Sequence, residues 1–330
     1  MIPPPQDPYR RCIDYLRLSI TDRCNLRCTY CMPREGVRKL THQEILRYEE
    51  ILHLGRIVTA MGISKIRITG GEPLVRKDLL YLCEGLAALP GLKSLSVTTN
   101  GVLLSHFAKG LFEAGIKRIN VSLDTMQVDK YAAITHGDCF HQVWDGIVKA
   151  QEIGFHPIKL NAVVMRGIND DEIEDLGRLT FQFPFHVRFI EFMPFQAEAG
   201  DRRFLSADEI LRRLSRVAPL IVVQKDGDTN GPADHFQFQG ALGKIGIISP
   251  VSHHFCPTCN RLRVTADGGL RTCLFSRTEV DLRTPLRRGI PDEQIVEIIR
   301  KAIVDKPERH SLDSEVFRRC ISRPMFSIGG

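Results

Sequence analysis

Cys24-Asn25-Leu26-Arg27-Cys28-Thr29-Tyr30-Cys31 places three thiols within eight residues, spaced C-x3-C-x2-C, directly after a strand-like run from Asp14 to Asp22. No other stretch constrains the chain as strongly. Thiolates at such short spacing hold iron–sulfur clusters, and a cubane normally takes four of them. This stretch offers three, with no fourth nearby. A cluster held by three protein ligands keeps one iron open to bind and activate a small molecule. Two other readings compete. Structural zinc sites close at four ligands, usually as separated pairs, and disulfides belong to oxidising compartments.

The 330-residue chain carries ten Cys. Its N-terminus, Met1-Ile2-Pro3-Pro4-Pro5, has neither the basic nor the apolar region of a signal peptide. That combination points to metal or catalysis rather than disulfides. No run approaches the ~18 apolar residues of a membrane span, so the sequence predicts a cytoplasmic protein with no membrane partner. A hydrophobic content of 43% suffices for a large core, and a formal charge of +6 is mild for this length. Lys and Arg are scattered among acids rather than gathered in a basic stripe. Nucleic acid is therefore not an expected partner, while a phosphorylated small substrate suits the charge.

From Asp14 to about Pro194 one unit repeats, a short strand followed by an amphipathic helix. The pattern predicts strands at 14–22, 65–70, 94–99, 118–124, 157–164 and 186–193. Helices are expected at 42–61, 77–88, 103–114, 127–134, 140–153 and 170–182, the first opened by a Thr41-x-x-Glu44 capping box. Such alternation argues a parallel sheet with right-handed crossovers. Successive strand side chains face opposite ways, and one parity here is strongly polar. Arg17, Ser19 and Thr21 alternate with Leu16, Leu18 and Ile20; Arg67 and Thr69 with Ile66 and Ile68. Ser94, Ser96 and Thr98, then Asn120, Ser122 and Asp124, then Lys159 and Asn161 continue the series. A sheet covered on both faces by helices reads as continuous apolar runs. The polar parity must instead face a ligand cavity, which predicts an incomplete triosephosphate-isomerase-type (βα)6 barrel over 1–195. An antiparallel sheet with one solvated face gives the same alternation, but the helical spacers disfavour it.

After Pro194 the register breaks into an α+β extension over 196–330. It holds a helix at 206–216 capped by Ser206, strand-like pieces at 220–225, 236–239 and 244–249, a hairpin turning at Asp267-Gly268-Gly269, and a helix at 291–303. A second thiol set, Cys256-Pro257-Thr258-Cys259 with Cys273, reads C-x2-C-x13-C. His253 or His254 would complete a Cys3His zinc site; equally, three thiolates would hold a second cluster with an open iron. Arg261 and Arg263 point the same way on a strand, a pair of fixed cations suited to a triphosphate or a developing anion.

The first cysteine motif resembles that of the radical S-adenosylmethionine enzymes. Both motifs, with Gly70-Gly71-Glu72-Pro73 and the terminal Gly329-Gly330, are similar to those of the GTP 3′,8-cyclase family of molybdenum cofactor biosynthesis. The likeness runs from about Leu16 to the last residue. It implies two 4Fe-4S clusters, on Cys24, Cys28 and Cys31 and on Cys256, Cys259 and Cys273. S-adenosylmethionine would sit on the first and be cleaved to a 5′-deoxyadenosyl radical, and GTP would meet the second. Tyr30, Gly71, Ser122 and Met193 would bind S-adenosylmethionine. Arg17, Arg67, Thr98, Lys159, Asn260, Arg261, Leu262 and Arg263 would bind GTP, with Arg17, Arg261 and Arg263 supporting catalysis. The resemblance also implies a low-potential electron donor of flavodoxin or ferredoxin type, a downstream cyclic pyranopterin monophosphate synthase, and a C-terminal tail that reaches the active site; a homodimer is compatible with it. One departure is visible. The family pattern follows Gly-Pro-Ala with Arg and aromatics, whereas Gly231-Pro232-Ala233 leads here into Asp234-His235. Two rival functions stay open on the residues alone, a radical peptide-modifying enzyme and a zinc-bearing nucleic-acid-binding protein. Cys12, Cys83, Cys139 and Cys320, Trp144, and the Phe residues at 181, 183, 185, 189 and 192 read as core or inert positions.

Overall fold

The computed structural model describes residues 2–193, 202–224, 231–310, 323 and 325–329. Strand and helix alternate as the two periodicities demand: β1 (Tyr15–Ser19), α1 (Tyr48–Ala60), β2 (Lys65–Thr69), α2 (Leu79–Ala87), β3 (Ser94–Thr99), α3 (Leu104–Glu113), β4 (Arg118–Ser122), α4 (Val128–Thr135), α5 (Phe140–Ile153), β5 (Ile158–Val164), α6 (Ile173–Gln182) and β6 (His186–Glu191). These six strands pair in parallel, each with the next. Registration lines up the apolar parity: Leu18 opposite Ile68, then Val97, Ile119 and Ile158. All five are at most 2% exposed and pack under the helices. Burying each such side chain stabilises the fold by roughly 1.5–3 kcal/mol.

The opening of α1 differs from expectation. Thr41 N–H does bond the Glu44 carboxylate at 2.8 Å, but this closes a turn. The helix begins at Tyr48, where Arg47 N–H takes Glu50 at 2.7 Å. The remaining chain forms α7 (Ala207–Leu214), β7 (Leu220–Val222), β8 (Asp234–Phe238), β9 (Lys244–Ile248), β10 (Arg261–Val264), β11 (Gly269–Arg271), β12 (Val280–Asp281), α8 (Arg283–Arg288) and α9 (Asp292–Val304). Ser206 caps α7 by accepting from Glu209 N–H at 3.3 Å.

The extension continues the barrel sheet at both edges. β9 adds in parallel to β6 and β10 in parallel to β1, giving the order β12-β11-β10-β1-β2-β3-β4-β5-β6-β9-β8-β7. Hydrogen bonding therefore runs unbroken from the 1–195 region into the 196–330 region. The curved parallel sheet is a partial barrel with a C-terminal extension on its flanks. Among the described residues no helix is long and apolar enough to cross a membrane.

The residues expected to be inert divide. Cys83, Phe185 and Phe189 are fully buried, and Trp144 packs edge-on against Phe183 and Phe185. Cys12 is exposed and Cys139 half-buried; Cys320 lies outside the described residues. Phe192 lines the cavity described below.

Candidate active site

The loop leaving β1 carries Cys24, Cys28 and Cys31. It is pinned to the end of α4, where Arg27 N–H bonds Thr135 O and Thr29 N–H bonds Ile134 O, both at 2.9 Å. Cys31 N–H then turns back to Cys28 O at 2.9 Å. The adjoining Gly70-Gly71-Glu72 loop crosses it closely: Gly71 N–H reaches Thr21 O at 2.6 Å and Glu72 N–H reaches Arg23 O at 2.7 Å. A Cβ on Gly71 would collide with the Arg23 carbonyl, so only glycine fits there. Glu72 is 1% exposed and accepts from Leu74 N–H, Thr99 Oγ1 and Asn100 N–H at 3.0, 2.7 and 2.6 Å. Burial raises its carboxyl to about 7 despite these bonds. It ties the β2 loop to the end of β3, and Asn100 from that end donates to Cys24 Sγ at 3.7 Å.

All three thiols are free and line one cavity of about 360 Å³. Burial raises the thiol pKa at each, to about 12 at Cys31. Only a strong local cation would hold them as thiolates. Among the described residues no three His, Cys, Asp or Glu side chains converge tightly enough to share a single ion. A four-iron cube presents its ligands to separate irons, so wider-set thiols suit it. Three thiols, no fourth beside them among the described residues, and a cavity next to them fit a cluster with one open iron.

The second thiol set faces the same cavity from the other end of the strands. Cys24 follows β1, whereas Cys256 and Cys259 precede β10, which runs parallel to β1. Cys273 follows the antiparallel β11 and so returns to that same end. Burial pushes the Cys259 thiol up, but Arg261 and Lys306 outweigh it and hold it down at about 6. Arg261 lies 3.6 Å from Cys259 Sγ. Of the two histidines expected to complete a zinc site, His253 pairs with Asp208 at 3.0 Å and His254 meets His310 edge-on, and neither lines the cavity.

Between the two ends, registration builds rows of polar side chains. Arg263, Arg17, Arg67, Ser96 and Arg118 stand opposite one another across five strands. A second row runs Thr98, Asn120, Lys159, His186 and Lys244, and a third Ser122, Asn161, Arg188 and Gly246. Gly246 makes room for Arg188, whose Cγ would stand 2.9 Å from a Cβ there. The described lining holds eight Lys or Arg side chains (Arg17, Lys65, Arg67, Arg118, Lys159, Arg188, Arg261, Arg263) against one acid, Asp124. Lys65 is neutralised by Asp14 at 3.2 Å. The others crowd like charges, which is destabilising unless an anion enters. Burial and Arg188, Arg67 and Arg118 hold Lys159 down at about 6; burial and Arg67 hold Arg188 at about 9. Thr98 Oγ1, both polar atoms of Asn120, Asn161 Oδ1 and Arg188 Nε are buried with no hydrogen-bond partner. Such orphaned atoms, aimed into a cavity, mark a site for a polar ligand.

The cavity thus gathers Arg17, Arg67, Thr98, Lys159, Arg261 and Arg263, together with Tyr30, Gly71, Ser122, Met193 and the six Cys. Two expected GTP residues are not among them. Leu262 points the opposite way into the core, 1% exposed, and Asn260 turns its amide to Asp14 at 2.6 Å. Neither side chain is part of the cavity lining. Tyr30 hydroxyl bonds Asp124 at 2.7 Å, which aligns its ring beside the first thiols. In the departing loop, Gly231 and Pro232 line the cavity while Asp234 faces solvent and His235 is buried. Sequence reasoning missed Arg188 and Arg118. Arg188 lies on the inward parity of β6, and that parity was signal enough.

The C-terminal segment enters the cavity. Arg323 forks onto Asp267 at 2.9 Å for both bonds. Met325, Phe326 and Gly329 line the wall, the Phe326 backbone faces the Cys31 thiol and favours its thiolate, and Gly329 O accepts from Arg17 at 3.0 Å and Arg263 at 3.5 Å. Gly330 lies outside the described residues.

Two family models together cover most of the chain, "Radical SAM superfamily" at residues 18–180 and "Molybdenum Cofactor Synthesis C" at 185–312. The chain is 49% identical over 326 residues to the "GTP 3′,8-cyclase" of Moorella thermoacetica, covering 98% of this chain and 100% of that one. The chain belongs to the GTP 3′,8-cyclase family. The protein of the same name from Pelotomaculum thermopropionicum is 48% identical, again over 98% and 100% of the two chains. Among solved structures, Streptococcus suis SuiB bound to S-adenosylmethionine superposes with a TM-score of 0.59 at 16% identity, covering 95% of this chain and 77% of that one. That likeness shows the shared partial barrel. Membership in this radical S-adenosylmethionine family makes the protein an enzyme and implies a 4Fe-4S cluster and S-adenosylmethionine.

Proposed function

We propose that the protein converts GTP to 3′,8-cyclo-7,8-dihydroguanosine 5′-triphosphate, the first step of molybdenum cofactor biosynthesis. One observation carries this reading: a single cavity bounded by three thiols at each end, with a field of cations between them. Full-length relatives named for the same reaction support it. Cys24, Cys28 and Cys31 would hold one 4Fe-4S cluster, and Cys256, Cys259 and Cys273 a second. The first cluster and S-adenosylmethionine supply, when bound, the one-electron chemistry that removes a hydrogen atom from ribose C3′.

The chain's own residues position and shield. Arg67, Lys159 and Arg188 neutralise the triphosphate, and Thr98, Asn120 and Asn161 supply partners for its polar edges. Arg17, Arg261 and Arg263 hold fixed positive charge near the base, favouring the reduced product as negative charge builds on it. Tyr30, Gly71, Ser122 and Met193 bracket S-adenosylmethionine, and the C-terminal segment keeps water from the reacting atoms. The product passes to a cyclic pyranopterin monophosphate synthase, and a flavodoxin- or ferredoxin-type protein supplies electrons in the cytoplasm.

Anaerobic purification with iron and sulfide analysis, followed by incubation with S-adenosylmethionine, dithionite and each nucleoside triphosphate, tests the proposal. It expects about eight irons, as two four-iron clusters require, and 5′-deoxyadenosine formation that depends on GTP. Turnover indifferent to GTP would reject the substrate.

Lys159 adds a pH signature. Held at about 6 in the free protein, it is neutral at pH 8, and an adjacent triphosphate raises it. GTP binding at pH 8 therefore takes up a proton, and affinity falls as pH rises above about 6, because the charged amine becomes scarcer in the free protein. Calorimetry at pH 8 in buffers of different ionisation enthalpy reads the uptake. Lys159→Met is expected to remove it, and the same buffer dependence in that variant would reject the assignment.

A further inference from the structure

A five-residue segment just beyond α9 straps across the second thiol set. Lys306 is 3% exposed, which is rare for a lysine that has no carboxylate partner among the described residues. Its Nζ lies 3.6 Å from Cys259 Sγ and donates to Arg261 O at 3.1 Å and to Thr272 O. Arg261 and Thr272 adjoin the two arms that carry Cys259 and Cys273. The charges facing Lys306 are those two thiols and the guanidiniums of Arg11 and Arg261. At the far end of the strap, the His310 backbone faces the Cys256 thiol and favours its thiolate, and its imidazole Nε2 sits 2.8 Å from Pro250 O. The middle is clamped by Arg11, which donates to Pro307 O at 2.7 Å and to Glu308 O and Cys256 O at 2.9 Å. Asp7 fixes Arg11 in turn at 2.5 Å. One short segment thus brings the Lys306 amine against one of the three thiols and its own backbone against another.

We propose that Lys306 is the positioning residue of the second cluster, joining its Cys259 and Cys273 arms and raising its reduction potential. The inference rests on the reading that Cys256, Cys259 and Cys273 hold a cluster. Reduction adds a negative charge to the cluster, and a fixed ammonium against a ligand sulfur, with N–H donors to the sulfurs, stabilises that form. The ammonium is shielded from water, so its field is little screened.

The test is a redox titration followed by electron paramagnetic resonance, with iron analysis, on the intact protein and on Lys306→Met and Lys306→Arg. Lys306→Met keeps the stem's bulk and removes the charge. Its second cluster is expected to become at least tenfold harder to reduce, about 59 mV for one electron, with the first cluster unmoved. Lys306→Arg should stay near the parent value. If Lys306→Met instead loses about four irons, Lys306→Arg must restore them, and failure to do so overturns the proposal. Eight irons with an unshifted second potential in Lys306→Met also overturns it and leaves the cyclase reading standing. About four irons in the parent protein would remove the second cluster, and this inference with it.

Discussion

Cys24→Ala is expected to abolish cleavage of S-adenosylmethionine, whereas Cys256→Ala leaves much of that cleavage and removes cyclisation of GTP. The split follows from topology. Cys24 lies just past β1, next to the Gly71 loop and Asn100, while Cys256 lies before β10 at the opposite end of the parallel strands. Losing one of three ligands at the first end removes the open iron and everything that depends on it. Losing Cys256 leaves that end untouched, since no described hydrogen bond links it to the first thiols; its neighbours are Cys259, Cys273, Arg11 and His310. The effect at each end should exceed 100-fold, because even partners one shell beyond a metal ligand cost about 10–100-fold. Anaerobic assays counting 5′-deoxyadenosine and cyclised nucleotide separately measure both. Normal cyclisation by Cys256→Ala would end the assignment of the second site.

The parity of the strands made most of this cavity legible. A side-chain period of two puts Arg17, Arg67, Thr98 and Lys159 on one face once Leu16, Ile66, Val97 and Ile158 are assigned to the other, and the structure places them so. By the same rule Leu262, between Arg261 and Arg263, must turn its side chain away; the family pattern retained it, and the sheet turns that side chain into the core. Arg188 obeyed the rule but was overlooked among Val187, Phe189 and Ile190, whose apolar run reads as a buried strand. Arg118 opens its strand and resembles a loop cation. What the sequence could not carry was long-range pairing. β9 joins β6 across an intervening helix and two strands, and β10 joins β1 from more than 200 residues away; no local pattern specifies such partners. Lys306 illustrates the same limit. A lysine two residues past the end of a helix reads as a solvated C-terminal charge, and only the fold brings Cys259 and Thr272 around it.

Gly329→Ala should lower cyclisation by on the order of 100-fold, the cost of a small misplacement in an organised site, with thermal stability almost unchanged. Gly329 adopts φ +75°, a conformation that costs an L-residue roughly 1–2 kcal/mol. Its new Cβ would stand 2.5 Å from Thr69 Oγ1 and 3.1 Å from Ser19 Cβ. Both neighbours belong to the β1–β2 wall and are at most 3% exposed, so neither can yield. The segment must withdraw instead. Arg17 and Arg263 then lose the Gly329 carbonyl that both bond, and their guanidiniums are no longer held in register with the cavity. Because Cys24, Cys28 and Cys31 keep their pinned loop, cleavage of S-adenosylmethionine should continue and become uncoupled from product. Adding Thr69→Ala removes the nearest obstructing atom, so the double variant should recover part of the coupling. Steady-state assays of both products in the three variants decide the matter. If Thr69→Ala gives no recovery, crowding at the wall is not the cause and the backbone strain at Gly329 carries the effect; if Gly329→Ala cyclises GTP at the parent rate, the carbonyl contact to Arg17 and Arg263 has no part in catalysis.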